Sequence, residues 1–303
     1  MFHRIIEWIR KVLKERAAQG EVLSTIILDD KTIDYIELWS AMYEDKAPWI
    51  KDDVTSTGIP SAVSSELARL VTLEMESEII GSKRADFLNA AYRKVLSELR
   101  IQTDPCALGG IILKPYVQGD TISVEFIQAD RFVPTGFNSS GQITSCQFVE
   151  QVVRNGKIYT RVESHDFDGK YCVIQNRAYE SKQKGVLGHQ INLTDVPEWE
   201  NLEEHTTIKN VPGVLFSYFK IPQANNKNRQ SPFGVSVYSK AAELIKQADE
   251  QWARIMWEFK GTELAVDMSE SLFRKDSNGN TILPSGKGRQ FRQYSIDTGI
   301  SEK

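Results

Sequence analysis

The stretch from Ser231 to Asp276 sets the tightest limit on how this chain can fold. From Val235 to Lys260, apolar residues recur at Val237, Ala241, Leu244, Ile245, Ala248, Trp252, Ile255, Met256 and Phe259, the spacing of one face of an α-helix. Lys240, Glu243, Lys246, Asp249, Glu250, Arg254 and Glu258 fall on the other side. Ser231-Pro232 is a start signal, because proline has no N–H for the first turn to leave unpaired, and Gly261 is a stop. Trp252 and Trp257 are five residues apart, so at about 100° per residue they point to different sides. One can face the protein's own body and the other a partner. Strand-like residues around Asn278-Gly279 follow directly, and a long helix running into a small β-hairpin is an uncommon plan for an enzyme core.

Upstream, residues 1–20 read as an amphipathic docking helix whose apolar positions are broken by charge, unlike a signal peptide or a membrane span. Further helices are expected over Thr32–Tyr43, with Asp29 or Asp30 as cap, over Ser61–Ile80 and over Ala85–Arg100. The second of these would bury Val63, Leu67, Leu70, Val71, Met75 and Ile79 and stop at Gly81. After Asp104-Pro105 the pattern changes to short alternating runs between turn signals. Asn155-Gly156 and Asp168-Gly169 mark hairpins within an antiparallel meander of five or so strands reaching Tyr179. Residues 129–142 and 181–210 read as loops, and the tail after Leu283 has no closing element. Helices, then a meander, then a long helix and a hairpin make an α+β plan. The expected parts are an N-terminal helical arm (1–60), a two-helix-plus-meander domain (61–230), the long helix (231–261) and a terminal module (262–303).

Composition narrows the function. A hydrophobic share of 41% can fill a core, and the net charge of −4, without a block of Lys or Arg, argues against a sequence-specific reader of nucleic acid. Cys106, Cys146 and Cys172 are far apart and odd in number, as expected of reduced buried thiols. No histidine pair has metal-ligand spacing, and no cofactor is expected. Ser285-Gly286-Lys287-Gly288 lacks the spacing of a phosphate loop, and Asp276–Asn280 lacks the closing glutamate of a calcium loop. His165, Asp166 and Asp168 invite an acid–base reading, that of a hydrolase. The same residues also read as an ordinary hairpin turn with capping aspartates.

Several runs together resemble the portal proteins of tailed bacteriophages, the head-to-tail connectors of long-tailed phages of Gram-positive hosts. They are Ser231-Pro232-Phe233-Gly234-Val235-Ser236-Val237-Tyr238, Ala241–Asp249, Trp257-Glu258-Phe259, Ala107-Leu108-Gly109-Gly110, and Ile127-Gln128-Ala129-Asp130-Arg131-Phe132-Val133-Pro134. The resemblance covers residues 30 to 275 and rests on the order of weak motifs, since portals have no catalytic signature. It implies a virion protein without enzymatic activity, a homo-oligomeric ring (a dodecamer when full length) at one capsid vertex. Through the ring double-stranded DNA passes without sequence readout. Its implied partners are a separate terminase ATPase, scaffold and major capsid proteins, and neck proteins, with no membrane. The meander and its helices would be the wing. Val235–Lys260 would be the stem helix, with Trp252, Arg254, Met256 and Trp257 at subunit interfaces. Thr262–Tyr294 would be the clip, with Arg274, Lys275, Asn278, Lys287 and Arg289 facing motor or neck. Portals commonly continue with a second stem helix and a crown, so this chain is expected to lack its C-terminal part.

Overall fold

A computed structural model describes residues 6–7, 30–73, 75–99, 104–183, 186–229, 231–269, 274–279, 281–282 and 290–294. The expected helix over residues 1–20 lies outside these, except that Ile6 and Glu7 are helical and Ile6 is buried. Lys287 and Arg289 also lie outside them. The chain forms a mixed α+β structure and divides into two compact units. One comprises Met1–Pro48 and Gly58–Ala242, the other Trp49–Thr57 and Glu243–Lys303.

In the first unit, α1 (Asp30–Tyr43) buries Thr32, Ile33, Ile36, Trp39 and Met42, a stripe every three to four residues. Its start lies two residues before the expected Thr32. Helix α2 (Ile59–Leu73) departs further from the sequence reading. Val63, Leu70, Val71 and Met75 are exposed, and the face turned inward carries Ser64 and Ala68. Ala68 packs with Cys106 and Ile221, flanked by Leu67 and Val237, so small side chains give the close approach there. The helix also ends at Leu73 rather than Ile80. The Asn89 side chain takes both backbone groups of Ile79, accepting from its N–H at 2.7 Å and donating to its carbonyl at 2.8 Å, which holds that segment out of the helix. Asn89 belongs to α3 (Ala85–Leu99), an amphipathic helix with no fully buried side chain.

After the short α4 (Asp104–Leu108), β1 (Gly110–Gln118) and β2 (Thr121–Gln128) form a hairpin. They do not join the meander. Their sheet is completed by β9 (Ser217–Lys220) in the order β2-β1-β9. The main sheet contains β3 (Phe132–Phe137), β4 (Ile143–Arg154), β5 (Lys157–Phe167), β6 (Tyr171–Ser181) and β7 (His189–Ile191). All are antiparallel in that order, with β8 (His205–Lys209) also on β6. Both expected hairpins form. Asn155 (φ 49°) and Gly156 (φ 73°) take the two left-handed positions of a tight turn closed by Arg154 and Lys157, where Asn and Gly are the residues that bear positive φ. Two expected loops contain strands. Phe132 and Val133 are buried in β3, whose edge position tolerates Pro134, and β8 lies within the polar stretch 181–210. Trp199 and Val196 from that stretch cover Ala178 of the sheet.

The Ser231–Tyr238 run does not open a helix. Phe233, Val235, Ser236 and Tyr238 are buried, and the run lies against the end of α4. Val237 donates its N–H to the Cys106 carbonyl at 2.9 Å, and a Cβ on Gly234 would stand 1.8 Å from the Gly109 oxygen. Two glycines are therefore needed where the backbones meet. Phe233 stacks on Phe132 and meets Tyr218 edge to face, and the Tyr238 hydroxyl donates to the Trp39 carbonyl at 2.7 Å. With the N–H groups of Gly234 and Val237 committed to Tyr218 and Cys106, helix geometry begins seven residues later than the spacing predicts.

The second unit contains α5 (Ala242–Leu264), which runs through Gly261 rather than stopping there. Next come β10 (Ala265–Ser269), β11 (Arg274–Lys275), β12 (Thr281–Ile282) and β13 (Gln290–Tyr294). β11 and β12 pair antiparallel about Asn278-Gly279, as the sequence predicts. β13 pairs parallel with β10, so the tail does have a closing strand.

Candidate functional site

Two places concentrate polar or apolar chemistry. The first lies between the two sheets. Lys114 of β1 reaches Glu163 of β5 with Nζ 3.0 and 3.1 Å from the two carboxylate oxygens, and bonds Glu125 of β2 at 2.9 Å. Arg161 joins Glu163 at 2.7 Å and Glu150 at 2.8 Å, while His165 Nε2 is 2.6 Å from Glu163. All of Lys114, Glu163 and His165 are buried. Burial alone would push the Glu163 carboxyl up. The His165 hydrogen bond and the charges of Lys114 and Arg161 outweigh it and hold the group well below the usual carboxylate range. An ionised carboxylate only accepts, so the hydrogen of that contact sits on Nε2, and the buried Nδ1 has no partner among the described residues. The cluster borders a cavity of about 430 Å³. Each cation in it is matched by a carboxylate, the pattern of a clamp between sheets rather than of a charged receptor.

The acid–base trio is not assembled there. His165 faces Phe148 and Phe216 in the core. Asp166, the next residue on β5, points to the opposite face of the strand. Asp168 sits at the hairpin turn, where N–H groups of Tyr171 and Lys170 bond its carboxylate and lower its pKa. Among the described residues no group of three His, Cys, Asp or Glu side chains is placed to hold a metal ion.

The second place is α5. Of its described side chains only Ile245 and Asp249 are buried. Most of its apolar stripe is exposed: Leu244 (66%), Trp252 (48%), Ile255, Met256 and Phe259 (63%). These five fall within about 120° of the helix circumference and, from Leu244 to Phe259, extend along roughly 22 Å of its axis. Trp257 is 68% exposed and lies about 140° round from Trp252. Arg254 is exposed as well. Asp249, assigned to the polar face by its spacing, is 2% exposed. The Trp49 indole donates to its Oδ2 at 2.9 Å, and the Thr57 N–H and hydroxyl donate to Oδ1 at 2.8 and 2.7 Å. No sequence spacing could have shown this, because the partners lie 200 and 192 residues away.

Of the clip candidates, Arg274 and Lys275 are exposed on β11. Asn278 forms the turn, its N–H bonding Asp276 Oδ1 at 2.8 Å. No helix among the described residues is long and apolar enough to cross a membrane. In comparisons with known proteins, no family and no curated relative matches the chain.

Proposed function

We propose that this chain is a structural subunit of a bacteriophage portal, a ring at the capsid vertex through which DNA is packaged and released. In this reading the two-sheet unit is the wing, α5 the stem helix, and the paired strands beyond it the clip. Terminase, capsid and scaffold, and neck proteins are its partners, and the virion is its location. The observation that carries the reading is the exposed apolar stripe of α5, with a second tryptophan on another side, as a strut flanked by neighbouring copies requires.

The stripe leaves roughly 400 Å² of apolar side chain in water, worth about 10 kcal/mol on burial at 25 cal/mol per Å². Association costs about 4–15 kcal/mol, and stable interfaces bury upward of about 1,200 Å² in total, so this helix alone does not hold two copies together. The ring must also use other exposed apolar residues, such as Val63, Leu70 and Phe87 of the helical layer.

The test is Trp257→Lys, followed by light scattering on a sizing column, by negative-stain microscopy and by a thermal melt. The expected outcome is ring-sized particles for the wild type, lost in the variant. Its Tm should stay within about 2 °C, since exposed substitutions move stability by about 0.5 kcal/mol or less. Equal loss of assembly and Tm would make Trp257 a core residue. A full-length protein that stays monomeric at high micromolar concentration, also with scaffold protein added, overturns the reading.

A further inference from the structure

The segment Trp49–Thr57 groups with α5, although the chain on both sides of it, up to Pro48 and from Gly58, belongs to the other unit. It is a strap, and its described side-chain hydrogen bonds to the helix converge on one group. Asp249 takes all three, from the Trp49 indole and from the Thr57 N–H and hydroxyl. A carboxylate buried on a helix otherwise facing water has lost its hydration, and these donors replace it. The strap itself is a turn. Val54 donates to the Lys51 carbonyl at 2.9 Å, Asp52 stands at φ 52°, and Lys51, Asp52 and Asp53 are exposed. The strap's own apolar residues, Trp49, Ile50 and Val54, are only half-buried, so among the described residues the carboxylate is the one fully buried group that fixes it to the helix.

The geometry points to a latch: Asp249 is the catch that keeps the 49–57 strap closed on α5, and the strap opens as a unit while the sheets stay folded. The closed state aligns Trp49 and Thr57 with one turn of the helix. The open state frees that turn and leaves α5 without its polar anchor. The latch stands independently of the portal reading, since it concerns only which segment opens and on which residue.

Limited digestion of the full chain with a protease that cuts before aspartate reads the latch directly, with fragments identified by mass. Cleavage before Asp52 or Asp53 reports the strap, and cleavage before Asp120 and Asp168, both exposed in sheet hairpins, is the internal control. Asp249→Ala is expected to speed strap cleavage at least tenfold and leave the control sites unchanged. Asp249→Asn should act in the same direction, because an amide nitrogen facing either the indole N–H or the Thr57 donors sets donor against donor. Trp49→Phe keeps an aromatic ring but loses the indole donor and some ring volume, and should open the strap by a smaller factor, so the test survives if Asp249→Ala fails to fold. Strap cleavage at the wild-type rate in Trp49→Phe and Asp249→Asn overturns the latch. So does an equal rise at Asp120 and Asp168, which makes Asp249 a determinant of global stability only.

Discussion

Replacing Lys114 by Met tests how much the clamp between the sheets contributes. The substitution keeps the unbranched stem that passes the Phe148 ring (Nζ lies 5.0 Å from its centroid) and removes only the charge. Glu163 is left buried with Arg161 and His165 and without the ammonium that bonds both its oxygens. Stripping one partner from a buried pair costs about 3–5 kcal/mol, and because two partners remain, the lower end, about 3 kcal/mol, is expected. Through the size-dependent slope of about 2–4 °C per kcal/mol, that is a fall of about 6–12 °C in Tm. Urea unfolding at pH 7, followed by circular dichroism, should show a lower midpoint with an unchanged slope. Adding Glu163→Gln to Lys114→Met should recover part of the loss, since the unpaired charge is gone and Arg161 keeps Glu150. The pH dependence has a definite sign. Glu163 is held below its ordinary value of 4.5, so its contribution is complete above that pH and is lost as pH falls below it. The gap between wild type and Lys114→Met should therefore narrow below about pH 4.5. A Lys114→Met protein within 0.5 kcal/mol of wild type, or a double variant whose loss is the sum of the singles, would refute the clamp.

Two further outcomes are expected. Gly234→Ala should cost at least about 3 kcal/mol, because its Cβ would meet backbone, the Gly109 oxygen, rather than a side chain that can turn aside; a urea midpoint near wild type would show that the strand and α4 part easily. Burial pushes the Cys106 thiol up to about 11 and the Cys146 thiol well above its usual value. An aromatic disulfide reagent at pH 8 should therefore leave both unreacted until urea is added, and rapid native labelling of either would contradict their burial.

What could be read in advance was what local chemistry decides. Asn155-Gly156 and Asp168-Gly169 set their hairpins because only residues tolerant of positive φ close such turns. Helices α1 and α3 were visible for a similar reason, as both carry uninterrupted periodicity. The misreadings share a different cause. Periodicity gives α5 an apolar face and a polar face but does not say how much of either is covered, and three distant donors bury Asp249 on the polar face while most of both faces stays exposed. Val63 and Val71 looked like the core of α2, yet Ser64 and Ala68 permit the closer approach and took the interior. Ser231-Pro232 carries a helix-start signal that is overridden because the backbone N–H groups of Gly234 and Val237 have tertiary partners. β8, five residues of mostly polar character, became a strand through the free edge of β6 rather than through its own propensity.

The bond from Tyr238 to Trp39, 199 residues apart, also fixes when this protein can finish folding. Helix α1 emerges early from the ribosome, but the residues that close over it arrive near the end of the first unit. At about 5–20 residues per second, roughly 10–40 s separate the two. The entropy of closing so long a loop grows only logarithmically, so the delay is one of waiting rather than of stability. During that interval Ile33, Ile36 and Met42, all buried in the finished fold, have no completed core to enter. A nascent chain of this design leaves the apolar face of α1 uncovered until Tyr238 has been made, which makes α1 a segment in need of a chaperone.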